Sequence, residues 1–195
     1  MSFIEKIENI DREILLQING SHHPFLDEIM FYVSEKWVMI PVYLLLIFYL
    51  QKFYGWKLTG IILIGALVLV AVSDATATFL FKNIFLRYRP SHNSEIQDKL
   101  HFVYNYKGGQ YGFYSSHASN MVAIALYCGY FLKPKLKYYS GLAFALVFLI
   151  CLSRIYLGVH YPTDIIAGLF FGTLFSLICI LIYKQYILPK LNHKI

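Results

Sequence analysis

Between Leu58 and Phe81 the chain carries one charged residue, Asp74, and between Ile165 and Leu188 it also carries one, Lys184. Runs this long and this apolar are membrane crossings, because ~20 residues of helix match the hydrocarbon core. Inside lipid a lone segment satisfies its backbone N–H and C=O groups only as a helix. That constraint fixes the class before any other residue is read. Three more apolar runs, 37–50, 117–132 and 138–152, extend the pattern to five spans, the last two short for a crossing. A sixth is expected if the Pro24–Lys36 segment crosses by itself rather than extending the first span as a kinked or interfacial piece. Only 14% of the 195 residues are charged and 58% are hydrophobic, against roughly 25% charged in soluble domains. The expectation is an all-α, polytopic transmembrane helical bundle forming a single domain over 1–195.

The N-terminus departs from this pattern. In "MSFIEKIENIDREILLQI" the apolar residues Phe3, Ile7, Ile10, Ile14 and Ile18 recur at helical spacing among acids and bases. Residues 1–22 read as an amphipathic helix lying in the bilayer interface. Acids stand where the apolar core of a cleavable signal would begin, so no such signal is expected.

The net charge is +6. The cations are scattered between apolar spans and form no basic face, which argues against nucleic acid and leaves anionic lipid or phosphate as the partner. The cysteines, Cys128, Cys151 and Cys179, sit in apolar runs without zinc-site or disulfide spacing and read as small core residues. No repeat or low-complexity segment divides the chain.

Span parity brings three polar clusters to one membrane face. The first is "KNIFLRYRP", with Lys82, Arg87 and Arg89 at the end of the second span. Alone it is an ordinary flanking anchor whose cations snorkel to headgroups. The second is "YSSHASN", Tyr114 to Asn120, where Ser115 or Ser116 caps the third span. A helix start with free N–H groups and hydroxyls also suits an anion. The third is "SRIYLGVHYPTD", Ser153 to Asp164. Pro162 suits the first turn of the last span, and Asp164 in that turn is close enough to His160 to accept from one ring N–H. The opposite face receives Lys52, Lys57, Lys133, Lys135, Lys137, Lys184, Lys190 and Lys194 without an acid among them. By the positive-inside tendency that face is cytoplasmic, so the clusters face outward.

Taken together, the clusters supply what phosphoryl transfer needs. Arginine forks and lysine charge match a tetrahedral oxyanion. A histidine braced by a carboxylate resembles the orienting half of a nucleophile triad, and a second histidine would serve as general acid. No carboxylate cluster of the kind magnesium or calcium prefers is present, so neither metal nor cofactor is expected.

At this point the chain resembles the type 2 phosphatidic acid phosphatase superfamily of integral-membrane lipid phosphatases, with its motifs K-x-x-x-x-x-x-R-P, P-S-G-H and S-R-x-x-x-x-x-H-x-x-x-D. Lys82, Arg89 and Pro90 match the first. Ser153, Arg154, His160 and Asp164 match the third. In the second, Tyr114 and Ser116 replace the proline and glycine, while Ser115 and His117 remain. The Ser116 side chain narrows the approach that a glycine leaves open. The resemblance covers 82–164 and implies roles. His160 attacks phosphorus and becomes phosphohistidine. Asp164 orients it. His117 protonates the leaving oxygen and then activates water. Lys82, Arg89, Ser115, Arg154 and the Ser116 N–H hold the phosphate oxygens.

Two features lie outside the motifs. Asp74, inside the second span, costs roughly 2.5 to 3.5 kcal/mol if it faces lipid, so it is expected to face protein or water. It either pairs with a motif cation or lines the cavity floor as a supporting residue, with Arg87, or it makes a plain contact between helices. The loop 91–113 ends in Tyr104, Tyr106, Tyr111 and Phe113. These aromatics either anchor at headgroup level or form a lid over the lipid.

The leading expectation is a metal-independent lipid phosphatase of the bacterial inner membrane, acting at its periplasmic face on a lipid phosphate or diphosphate. Undecaprenyl diphosphate is slightly favoured over lipid A, phosphatidylglycerophosphate and phosphatidate. The competing readings are a lipid phosphotransferase and a non-enzymatic anion transporter.

Overall fold

The structure is a computed structural model describing residues 2–191, which leaves Lys194, counted above among the cytoplasmic cations, outside the described residues. Seven α-helices follow in order, with no named strand among the described residues: α1 Phe3–Gly20, α2 Pro24–Ser34, α3 Ile40–Ala75, the single turn α4 Asn83–Phe85, α5 Ser116–Leu132, α6 Tyr139–Tyr156 and α7 Pro162–Ile182. Three helical stretches are long and apolar enough to cross a membrane: Trp37–Phe85, Tyr139–Tyr156 and Pro162–Leu191. The chain is therefore the expected transmembrane helical bundle.

The first stretch comprises the two spans expected on either side of Lys52–Lys57. Straight, its 49 residues would extend about 74 Å at 1.5 Å per residue, more than twice the hydrocarbon thickness. Gly55 breaks it: with φ +71° and ψ 167° it leaves the helix where any L side chain would be strained. Leu50 before the break and Leu58, Ile62 and Leu69 after it belong to one buried cluster with Ala123, Tyr127 and Phe131 of α5. The Pro24 segment is a separate helix of 11 residues, about 16 Å long and too short to cross by itself. Leu44, Leu67, Phe79, Phe144, Phe170 and Leu181 remain exposed around the bundle. Apolar surface on that scale is a lipid-facing belt.

At the centre, α7 lies on α5 with almost nothing between the backbones. A methyl group at Gly168 would come within 2.6 Å of the Ser115 carbonyl oxygen, and one at Gly172 would run into the Ser119 carbonyl. This glycine pair, four residues apart, is the small-residue spacing that lets membrane helices approach closely. The Ser115 N–H donates to the Asp164 carbonyl at 3.0 Å, tying the starts of the two helices together.

The N-terminal helix opens with a reciprocal cap between Ser2 and Glu5. It packs beside α6 and α7 through Asp11, Leu15 and Asn19, which are buried, while Phe3, Ile4, Ile10 and Ile14 stay exposed. Of the apolar stripe legible in the sequence, Phe3, Ile10 and Ile14 thus face away from the protein, while Ile7 is half-buried and Ile18 packs against the bundle.

Candidate active site

Three helix ends and one loop deliver the polar residues to a single place. Lys82 closes a π-helical turn, Thr76–Lys82, that continues α3. Such turns re-aim side chains and concentrate at functional sites. His117 sits in the first turn of α5, whose cap is Ser115. His160 follows the end of α6. There Gly158, at φ +68°, adopts the left-handed conformation that closes a helix, and the Gly158 and Val159 N–H groups bond the Ile155 and Arg154 carbonyls. The chain then turns at once into α7, with Pro162 in its first turn and Asp164 behind the histidine.

A cavity of about 460 Å³ results, lined by Asp74, Lys82, Arg89, Ser116, His117, Asn120 and His160 together with Glu35 and apolar residues. Lys82 Nζ donates to Ser116 Oγ at 2.8 Å. Arg89 is held by the Tyr111 carbonyl, 3.1 Å from Nε. Burial and the neighbouring Arg154 lower its pKa to about 10, so it stays cationic at neutral pH. Asp74 accepts from Asn120 at 2.9 Å; it lines the cavity, and its hydrogen-bond partner is an amide.

His160 is 1% exposed. Its Nδ1 lies 3.3 Å from Asp164 Oδ2. A carboxylate only accepts, so Nδ1 carries the proton and Nε2 keeps its lone pair. Burial, followed by the charges of Arg89, Arg154 and Lys82, holds the imidazole pKa well below its usual value. The ring is therefore neutral at pH 7, which is the state a nucleophile needs. Asp164 Oδ2 also accepts from the Tyr161 N–H at 3.0 Å, and Oδ1 accepts from Arg87 at 2.6 Å. Gly112 is pressed against this carboxylate: a methyl there would sit 3.1 Å from Oδ2 and from Arg89 Cγ.

Two motif residues stand one layer back. Arg154 is 1% exposed and donates to Ser34 Oγ and, at 3.1 Å, to Tyr106 Oη. Its Nε is buried without a hydrogen-bond partner among the described residues. Ser115 is fully buried, and its hydroxyl accepts from the Ala118 N–H at 3.4 Å. The two family departures are also accounted for physically. Tyr114 fills the core, stacked on Phe171 with centroids 4.9 Å apart, and donates to the Ser73 carbonyl. Ser116 supplies the hydroxyl that holds Lys82. Among the described residues, no group of three His, Cys, Asp or Glu side chains is placed to hold a metal ion.

Ser34, Tyr106, Asn120, Gly112 and Asp11 take part in or brace the site without belonging to a motif. Tyr106, one of the loop aromatics, also lines the cavity mouth with Trp37, Ile40 and His117. At its inner end the cavity shares Tyr43, Met121 and Ile124 with an apolar cleft of about 510 Å³. That cleft runs between α3, α5 and α6 and reaches Leu142 and Leu146.

The family model of the PAP2 superfamily matches residues 59–187. A lipid A 4'-phosphatase of Porphyromonas gingivalis is 35% identical over 190 residues, covering 96% of this chain and 77% of that protein. A lipid A 4'-phosphatase of Bacteroides thetaiotaomicron is 29% identical over 170 residues, 87% of this chain and 75% of that one. The fold is similar to that of a crystal structure of a transmembrane PAP2-type phosphatidylglycerolphosphate phosphatase from Bacillus subtilis. The TM-score is 0.72 at 19% identity, with 93% of this chain and 88% of that one covered. It is also similar to that of Aquifex aeolicus LpxE, with TM-score 0.63 at 20% identity over 87% and 93% of the two chains.

Proposed function

This chain belongs to the PAP2 superfamily and is a membrane lipid phosphatase, and on that premise we propose that it removes the 4′-phosphate of lipid A through a phosphohistidine at His160. The observation that carries the mechanism is the common cavity: two imidazoles and two cations line it, and a buried carboxylate stands behind one imidazole. His160 Nε2 attacks phosphorus as the bond from phosphorus to the lipid oxygen breaks. Lys82 and Arg89 neutralise the charge on the phosphoryl oxygens, as preorganised donors worth on the order of 3 kcal/mol each. His117 gives its proton to the departing alkoxide. Water then attacks the phosphoryl group, His117 takes the water's proton, and the N–P bond breaks. The products are inorganic phosphate and a lipid alcohol. Asp164 balances the positive ring of the intermediate.

The lipid choice rests on the two named relatives, whose identity extends along nearly the whole chain. It moves the expectation from undecaprenyl diphosphate to lipid A. The apolar cleft that continues the cavity supports an acylated substrate, because it offers a chain a path away from the cations. The lysine excess at the opposite helix ends supports a site at the outer face of the inner membrane.

The test is phosphate release by the purified protein in EDTA from lipid A, undecaprenyl diphosphate, phosphatidylglycerophosphate and phosphatidate. Lipid A is expected to be turned over fastest, with release specific to the 4′ position. An acid-labile phosphoenzyme should appear on rapid quenching and vanish in His160→Ala. Faster turnover of undecaprenyl diphosphate would overturn the substrate. Full activity of His160→Ala would overturn the mechanism, and label appearing on an acceptor lipid instead of in phosphate would make the protein a transferase.

A further inference from the structure

Asp11 lies in α1, outside residues 59–187 that the family model matches, yet it is 2% exposed and faces the back of the site. Its Oδ2 accepts from Arg87 Nη2 at 2.7 Å, and its Oδ1 accepts from the Thr163 N–H at 2.9 Å. The Thr163 hydroxyl donates to Oδ2 as well. Arg87 uses its other arm, Nη1, on Asp164 Oδ1 at 2.6 Å and on Thr163 Oγ1 at 2.8 Å. Its guanidinium carbon sits 4.5 Å from the centre of the Tyr161 ring. The result is a continuous relay: Asp11, Arg87, Asp164, His160.

Charge decides what the first member does. Arg87 and Asp164 alone make a neutral pair; Asp164 stands nearer His160 and still favours the positive ring of a phosphohistidine, but the guanidinium behind it cancels part of that effect. Two carboxylates on one guanidinium leave one net negative charge there. The same contacts fix the geometry. Arg87 spans the two carboxylates with separate arms, so its rotation is blocked and Asp164 is held by Oδ1 while Oδ2 serves His160 and the Tyr161 N–H.

We propose that Asp11 is a positioning residue of the reaction, which through Arg87 sets the orientation and net charge of Asp164, so that the N-terminal helix is a working part of the catalytic site. The proposal rests on the reading in which His160 is the nucleophile. It deepens that reading by adding a residue from outside the family motifs.

The experiment is a charge-balance series in the full-length protein in detergent: Asp11→Asn, Arg87→Gln, the double variant, and His160→Ala. Steady-state kcat and KM and the single-turnover rate of phosphoenzyme formation are measured for each. Asp11→Asn is expected to lower kcat and phosphoenzyme formation between roughly tenfold and 100-fold. KM should stay within about twofold, because Asp11 does not line the cavity. The double variant restores one net negative charge and is expected to be faster than Asp11→Asn. A purely structural role predicts the reverse, since the double variant loses more contacts. Wild-type kcat in Asp11→Asn, or a double variant slower than the single, overturns the proposal. If Asp11→Asn does not fold, Asp11→Glu and Asp11→Gln, equal in size, make the comparison by charge alone. Glu is expected to be the faster, and equal rates overturn the proposal. An active His160→Ala would instead remove the nucleophile reading itself, so the two failures are distinguishable.

Discussion

The site depends on how close α7 approaches α5, and Gly168→Ala tests that closeness with one methyl group. The added carbon would stand 2.6 Å from the Ser115 carbonyl oxygen, where ordinary contact begins at 3.4 Å. The helices must therefore part locally by about 0.8 Å. The neighbouring atoms leave no easier escape: Ala118 Cβ is 3.1 Å away and the Ser119 nitrogen 3.3 Å, so two of the three contacts are backbone. Overpacking of this kind costs about 1–3 kcal/mol, offset by about 1 kcal/mol from replacing a helical glycine. Net destabilisation should be no more than about 2 kcal/mol. The effect on chemistry should exceed that on folding. Ser115 and Asp164 share a backbone hydrogen bond at this junction, so the displacement moves the carboxylate and His160 away from His117. A misplacement of about 1 Å can cost up to 100-fold in rate. The assay pairs thermal unfolding in detergent with single-turnover phosphoenzyme formation. A kcat reduced at least tenfold with a Tm lowered by only a few degrees is expected. Wild-type kcat and Tm together would refute the claim that the two backbones meet there.

Other outcomes follow from the same geometry. His160 is held neutral by burial and by three cations, so the neutral form that the proposed mechanism uses persists as pH falls through 6.5 and activity should not titrate away there on its account. The unfolded chain binds a proton at about 6.5 that the native ring refuses, so the stability this histidine leaves intact at neutral pH should fall as pH drops below that value. Tm measured from pH 8 to 5 should decline, and less steeply in His160→Gln. Ser116→Gly removes the hydroxyl that holds Lys82; a several-fold higher KM for the proposed substrate, with the proposed phosphoenzyme still formed, is the expected result of steady-state and rapid-quench assays. Ala143→Phe narrows the apolar cleft far from the cations. It should lower kcat/KM for a long-chain substrate at least tenfold, while a short-chain soluble phosphomonoester is hydrolysed at the wild-type rate.

Sequence spacing reached the histidines and cations of the cavity because they lie at helix ends, or just beyond one, that any crossing bundle must return to the same face. Lys82, Arg89, His117 and His160 needed only parity to be brought together. The bends were less legible. Gly55 lies within a run of lysines and aromatics that reads as a loop, yet helix continues on both sides of it. Periodicity cannot tell one broken residue from a true connection. Ser115 and Arg154 were expected at the phosphate. The cap bond of Ser115 is local and legible as a helix start, whereas Arg154 reaches Ser34 and Tyr106 across 120 and 48 residues of chain, which no local pattern specifies.

Asp11 shows why part of a site like this is hidden from pattern reading. In "ENIDREI" it sits among other charges on what looks like the solvated side of an amphipathic helix, and its contact Thr163 lies 152 residues along the chain. The apolar stripe Phe3, Ile7, Ile10, Ile14 and Ile18 draws attention because burial is the usual reason for such a stripe. In a membrane protein lipid competes for that role, so apolar residues are free to face outward and polar ones to face the protein. Hydrophobicity alone therefore does not mark the interior on this helix: Leu15 is buried, yet Ile10 and Ile14 face outward. The buried face carries Asp11 and Asn19 on either side of Leu15. Asn19 Nδ2 bonds the His101 and Tyr156 carbonyls, and its Oδ1 accepts from the His101 N–H. Polar contacts of this kind hold a helix to a bundle where hydrophobic burial gives no preference over lipid. They also fix its rotation about its own axis, and that rotation aims Asp11 at Arg87.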